Sequence, residues 1–313
     1  VAGDVPQAAR IERAKLGRLA VRGSDASDFL QRMTSNDLAA LREGEGAATL
    51  LLERNGRFID RLIACRTGAG EWFLIGGPGR GAAVREALAR YVIAEDVAVD
   101  DLAGSTALVT VAGSGAAEQL GPRIGVPLLD LPRFHHREAA AVGAGARVVR
   151  AEDVGGRAFH VVVPAALRAE LERRLEGVPL LDESGWRSLR VASGVPEFGE
   201  EFSERTVAIE AGMADAISFT KGCYVGQEVI ARVHHHDRIR KTLVRVRVQG
   251  EEPPERGAKL ARGEEDAGEI SSAVRRSGEV LGLAYVRTGF EAPGSRLSVI
   301  EAGGRREVEV LAP

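Results

Sequence analysis

Lys221-Gly222-Cys223-Tyr224-Val225-Gly226-Gln227-Glu228 puts a thiol, an amine, two glycines and a carboxylate into eight consecutive residues. No other stretch of the chain is so dense in reactive side chains. The glycines let the backbone turn tightly, and Gln227-Glu228-Val229-Ile230-Ala231-Arg232 has the composition to begin a short helix. Cys223 is therefore expected at a turn before a helix start. With Lys221 beside it and the run His234-His235-His236 near, that setting favours thiolate. The same residues also fit a plain turn in which Cys223 fills a small apolar gap, as free cysteines commonly do.

The surrounding chain has 313 residues, 44% of them hydrophobic, which is more than one ordinary core can use and predicts two or three packed domains. Its 42 basic and 45 acidic residues leave a net charge of -3, giving no global electrostatic case for nucleic acid or an anionic membrane surface. Two cysteines, Cys65 and Cys223, make no disulfide framework, and alone they cannot supply the four thiolates that usually hold an iron–sulfur cluster. No apolar run approaches about 18 residues. The opening Val1-Ala2-Gly3-Asp4-Val5-Pro6 lacks the basic head and apolar body of a signal peptide, so a soluble, cytoplasmic protein is expected.

Upstream of the motif, Leu16 to Val21 alternates like a half-buried strand, and Ser24 is placed to N-cap a helix with Ala26, Phe29, Leu30 and Met33 on one face. Ala47–Leu52, Phe58–Cys65 and Trp72–Ile75 read as strands, with Asn55-Gly56 marking a hairpin turn. Val84, Ala87, Leu88 and Tyr91 recur at helical spacing, and Val97 and Val99 alternate as a closing strand. Strand, helix, three strands, helix, strand is an antiparallel-rich α+β lobe, not a doubly wound sheet. The pattern recurs: Ala107–Val111 as strand, Ser114–Leu120 as helix, Val148-Val149 and Phe159–Val163 as strands, and a helix opened by Pro164 with Leu167, Leu171 and Leu175 on its face. Trp186, Leu189, Arg190 and Val191 form a further amphipathic stretch, with arginines on these helices read as solvated. Beyond Lys241, short strands at regular intervals with glycines between and no helical window indicate a small β-barrel or sandwich. The expected domains are 1–103, 104–240 and 241–313.

The motif, running on through Arg232-Val233-His234-His235, resembles the signature of YgfZ-type folate-binding proteins, relatives of the glycine-cleavage T-protein (aminomethyltransferase). Gly23-Ser24-Asp25-Ala26 with Phe29-Leu30 and Thr34-Ser35-Asn36-Asp37 is similar to the superfamily's N-terminal segment, and Arg190-Val191-Ala192-Ser193-Gly194-Val195-Pro196 to its helix end before the motif. Gly268-Glu269-Ile270-Ser271-Ser272 and Leu281-Gly282-Leu283-Ala284-Tyr285-Val286 resemble its C-terminal barrel. The resemblance implies an α+β fold of two ferredoxin-like lobes plus a C-terminal β-barrel, a cloverleaf around a central folate-type pocket for tetrahydrofolate. It also implies a role in assembly or repair of iron–sulfur enzymes, which would be the partners, with Cys223 as reactive thiol and Lys221, Gly222, Tyr224, Gly226, Gln227 and Glu228 as its motif.

At several matched positions the chain departs from the transferases. Their Asp-Asp pair, whose second member is the working acid, reads Asp60-Arg61 here, and a guanidinium neither takes up nor delivers a proton near neutral pH. Their folate-holding arginine matches Trp186, their pterin-gripping glutamate His160, and two folate-lining tyrosines Ala48 and Cys65. Asp60, Trp186 and Arg232 are the candidate folate contacts; Trp186 and Asp60 also fit a core aromatic and a hairpin acid. Arg232, Arg238, Arg240 and Lys241 form a basic strip suited to a polyglutamate tail or an acidic partner, or simply to solvent. No metal site is expected at His135-His136 or His234-His235-His236-Asp237, because consecutive histidines diverge. The leading expectation is an accessory protein and not an enzyme. The alternatives are an aminomethyltransferase moving a one-carbon unit to tetrahydrofolate and a non-catalytic folate-binding scaffold.

Overall fold

The apolar alternation of the first lobe builds one sheet with both helices on one face. The computed structural model describes residues 7–235 and 239–312. In chain order, β1 (Ala9–Glu12) and β2 (Leu16–Arg22) precede α1 (Ala26–Met33), β3 (Gly46–Leu52), β4 (Phe58–Gly68), β5 (Glu71–Pro78), α2 (Gly81–Ala89) and β6 (Ala98–Asp101). The first sheet runs β3-β4-β5-β2-β6, antiparallel throughout. Ala26, Phe29, Leu30 and Met33 of α1 and Val84, Ala87 and Leu88 of α2 meet Leu19, Val21, Leu62 and Leu74 of the strands in one buried cluster. The helix faces read from spacing are thus the buried faces, and Asn55-Gly56 is the turn between β3 and β4.

Two local expectations are corrected. The β2 strand is buried on both faces except at Arg22, not half-buried. Its Arg18 is 1% exposed and donates to the carbonyls of Leu16 and Ala103 and to Thr106 Oγ1, so a charged residue is accommodated by full hydrogen bonding. Ser24 does not cap α1: Asp25 stands at the N-cap without a side-chain cap bond, while Ser24 Oγ donates to Asp96 Oδ2 and Asp25 accepts from the Asp96 amide. Both side chains tie the helix entry to the turn before β6, and neither bonds the first-turn amides.

The second lobe comprises β7 (Thr106–Gly113), α3 (Ala116–Ile124), β8 (His136–Glu138), β9 (Arg147–Arg150), β10 (Arg157–Pro164) and, after a 3-10 turn at Ala165–Leu167, α4 (Arg168–Arg174). Its sheet order, β8-β9-β10-β7-β1, repeats the order of the first sheet. The place that β6 holds in the first sheet is taken by β1, which pairs antiparallel with β7 from Ala9↔Ala112 to Glu12↔Val109. The recurring sequence pattern therefore corresponds to a recurring topology, closed by a strand from the start of the chain.

By contact, the chain divides into two compact units: both lobes through Asp182 together with Asp215–Gln227, and Glu183–Ala214 with the chain from Glu228 onward. The second unit holds α5 (Glu183–Ala192), most of α6 (Gln227–His235), and a closed barrel of β11 (Lys241–Val248), β12 (Lys259–Arg262), β13 (Glu265–Arg276), β14 (Glu279–Arg287), β15 (Arg296–Glu301) and β16 (Gly304–Val310). The barrel order is β11-β14-β13-β12-β15-β16, which leaves no free edge. Val246, Leu260, Ile270, Val286, Val299 and Val308 fill it. Helix α5 packs on β13 and β14. Its Arg190, expected in solvent, is 2% exposed: it makes a bidentate pair with Glu201 at 2.7 and 3.2 Å and donates to the Val195 carbonyl. No helix among the described residues is long and apolar enough to cross a membrane.

Candidate functional site

The motif segment 215–227 lies against the first lobe along the end of α1 and the loop after it. Ser35, fully buried, donates from Oγ to the Ala216 carbonyl at 2.6 Å and accepts from the Leu50 amide, and the Ser218 amide donates to the Ser35 carbonyl at 2.9 Å. Asn36 Nδ2 reaches the carbonyls of Ala48 at 2.8 Å and Asp215 at 3.2 Å. Lys221 then enters the same loop. Its Nζ donates to the carbonyls of Gln31 (2.5 Å), Thr34 (2.7 Å) and Asn36 (2.8 Å). Burial lowers its pKa to about 8, against the raising influence of Asp37. The three N–H groups of the Lys221 ammonium are spent on three carbonyls, so it donates no hydrogen bond to the Cys223 thiol.

The remaining motif residues close the turn. The Tyr224 ring lies beneath Lys221 Nζ at 5.4 Å from its centroid, and burial pushes its hydroxyl up to about 12. Val225 donates its amide to Arg32 O at 3.3 Å. Gly226 has φ +85, and a Cβ there would lie 2.7 Å from the Glu53 carbonyl, so this position requires glycine. The Gln227 amide donates to Tyr224 O, and its side-chain oxygen accepts from the Tyr224 amide at 3.3 Å, shutting the turn before α6. Gly222 and Cys223 stand exposed at the turn. Cys65, by contrast, is fully buried, and burial pushes its thiol up to about 12. In the other unit, Glu228 and Arg232 are exposed on α6, as is Arg240, while Lys241 Nζ sits over the Tyr285 ring at 4.5 Å. His236, Asp237 and Arg238 lie outside the described residues.

The Asp60-Arg61 pair points two ways. Asp60 turns inward and is fully buried; its Oδ2 accepts from the Gly77 amide at 2.7 Å and its Oδ1 from its own neighbour's amide at Arg61, 2.9 Å. Burial raises it to about 7, opposed by those two amides and by Arg80 and Arg61. Arg61 faces the other way into a cluster that sequence reading did not foresee. It pairs with Glu152 and lies 3.8 Å from Asp215, while Arg133 pairs with Glu152 and lies 3.5 Å from Asp215. The Phe134 ring is flanked by both guanidinium groups, at 5.6 and 4.8 Å from its centroid. Glu152 and Arg133 come from the second lobe, so nothing in the local pattern around residue 61 announces them.

The other matched positions are interior. His160 is buried on β10 with Nδ1 2.8 Å from Thr110 Oγ1, and burial together with Arg13 lowers it to about 3, so it is a neutral imidazole where the transferases carry a carboxylate. Ala48 and Cys65 are buried, as is Trp186 on α5 in the barrel unit. His136 is buried with Nε2 on the Arg66 carbonyl at 2.9 Å. Among the described residues, no group of three or more His, Cys, Asp or Glu side chains is placed to hold a metal ion.

Comparison with known proteins bears on the whole chain. The family model described as the GCVT N-terminal domain matches residues 6–221. An aminomethyltransferase of Rubrobacter xylanophilus is 31% identical over 277 residues, covering 87% of this chain and 74% of its own length. A putative chloroplastic transferase of Arabidopsis thaliana is 25% identical over 96% of this chain and 71% of its own length. Among solved structures, the glycine cleavage system aminomethyltransferase T of Bartonella henselae superposes with a TM-score of 0.87 at 21% identity, covering 98% of this chain and 85% of that one. That superposition gives the shared fold of lobes and closed barrel. The family match across both lobes and the 31% identity to the Rubrobacter protein together make this chain a member of the GcvT, or aminomethyltransferase, superfamily.

Proposed function

We propose that this chain is an accessory member of the superfamily that serves iron–sulfur enzymes through Cys223 and does not itself transfer aminomethyl groups. The observation that carries the reading is Arg61. At the position matching the transferases' working acid stands a guanidinium paired with Glu152 beside Asp215, which has no proton to exchange near neutral pH. The adjacent Asp60 titrates near neutrality but is fully buried with both oxygens bonded within the sheet, so it does not replace the acid. What remains chemically available in the motif is the exposed Cys223 thiol. It could undergo exchange, hold a mixed disulfide or donate one ligand to a shared cluster.

A reduced folate is the ligand class the family fold supports. The side chains at the matched positions do not reproduce the transferases' contacts: a neutral His160, a buried Trp186 and a buried Ala48 and Cys65 stand there. The chemistry proposed for Cys223 does not depend on folate. Aminomethyl transfer to tetrahydrofolate is the second reading, and the names of the relatives favour it directly.

Two assays separate the readings. A strain lacking the gene should lose iron–sulfur enzyme activity and regain it with the wild-type chain but not with Cys223→Ser; full rescue by that variant would remove the thiol from the proposal. Turnover of an aminomethyl donor with tetrahydrofolate by the purified protein would establish the second reading instead.

A further inference from the structure

Helix α1 ends with carbonyls that have no partner in the helix. The amides that would reach back to Gln31 and Arg32 are committed elsewhere, that of Ser35 to Leu50 O and that of Asn36 to Thr49 Oγ1. The motif supplies both missing donors, Lys221 Nζ for Gln31 and the Val225 amide for Arg32. Lys221 also takes the Thr34 and Asn36 carbonyls of the following loop.

We propose that Lys221 is the positioning residue of the motif: its ammonium caps the C-terminal end of α1 and thereby fixes the turn that carries Cys223. The turn is suspended between this cap and the Val225 amide's bond to the Arg32 carbonyl, beside Gly226, whose backbone passes too close to the Glu53 carbonyl to carry a side chain. A lysine suits the place because a compact ammonium on a flexible stem can meet three carbonyls converging from different directions, and a cation is favoured at the negative end of a helix. The charge that acts on it is Asp37 in the loop, and the face of the neutral Tyr224 ring lies beside it. The motif lysine therefore acts on the thiol through backbone placement, as the anchor of the turn. What this does for function rests on the reading of Cys223 given above, but the geometry can be tested without any activity.

A nitroxide attached to the intact protein reports on the turn directly, because Cys223 is exposed while Cys65 is buried and does not label. The wild-type spectrum should be restrained, Lys221→Met should add a mobile component, and Lys221→Arg, which keeps charge and donors, should fall between them. In the Met variant, hydrogen exchange at the Val225 amide should quicken by at least roughly tenfold, the equivalent of one charge-assisted hydrogen bond. A Met spectrum indistinguishable from wild type, or an Arg spectrum as mobile as Met, would overturn the proposal. Should the Met variant fail to fold, exchange in the wild-type chain decides: Val225 and Ser218 amides exchanging at unprotected rates would overturn it equally. Failure of these tests leaves the Cys223→Ser complementation untouched, so the two ideas fall separately.

Discussion

Asp60→Asn isolates the buried acid of the first lobe from every other titrating group. In the folded chain Asp60 titrates near 7, against 3.8 in the open chain, because burial disfavours its charged form. The fold therefore holds the proton more tightly than the unfolded chain does. Between pH 4 and pH 7 the native state is protonated at this site while the unfolded state is not, so stability from this group is full at acid pH and lost as pH rises to 7. At 1.36 kcal/mol for each tenfold change in proton affinity, the rise from 3.8 to about 7 amounts to about 4 kcal/mol. Asparagine keeps the shape and accepts one of the two amides, from Gly77 or Arg61, but turns an NH2 toward the other. That mismatch costs about 1–3 kcal/mol at every pH. The variant should thus be less stable than wild type at pH 4 and gain on it by about 4 kcal/mol by pH 8. Urea unfolding followed through Trp72, with Trp186→Phe in both chains to silence the barrel unit, measures the difference. Parallel stability profiles from pH 4 to pH 8 would refute the account of Asp60 as a buried, near-neutral carboxyl.

Other outcomes follow from the same geometry. Glu201→Gln removes the bidentate partner of the buried Arg190 guanidinium, leaving Glu197 at 3.9 Å as its remaining carboxylate, and should destabilise the barrel unit by about 1.5–3 kcal/mol on Trp186 fluorescence, whereas Arg190→Met with Glu201→Leu should recover most of that loss. Gly76→Ala places a Cβ 2.5 Å from Asp60 Oδ2 and should cost about 1–3 kcal/mol, a penalty that shrinks in an Asp60→Ser background; equal penalties in the two backgrounds would show that the carboxyl is not what the methyl meets. Peptide mapping after brief alkylation of the native protein should find Cys223 modified and Cys65 untouched until denaturant is added, and native modification of Cys65 would contradict its burial.

Local periodicity carried much of the architecture. The buried faces of α1 and α2, the strand–helix repeat, the hairpin at Asn55-Gly56 and the run of short barrel strands are legible because side chains three and four apart, or two apart, share a face whatever lies opposite. The turn-then-helix reading of residues 221–232 holds because it rests on glycine's backbone freedom and on local helix propensity. Membership of the GcvT superfamily was also legible, since spacing and residue type survive without coordinates.

Partners distant in sequence decided the rest. Strand β1 is four residues long, too short for any periodic signal, and becomes a strand only by pairing with β7. Ser24 satisfies the local rule for an N-cap yet spends its hydroxyl on Asp96, 72 residues away. Arg61 reads as a lost acid in sequence, but only the second lobe reveals Glu152 as its counter-charge. The opening stretch shows the division most plainly: sequence placed Cys223 at a turn and put Lys221 beside it, and proximity along the chain suggested that the amine serves the thiol. Its ammonium instead bonds Gln31, 190 residues away, because a buried cation goes where unsatisfied carbonyls converge, and that convergence exists only once α1 has folded and ended.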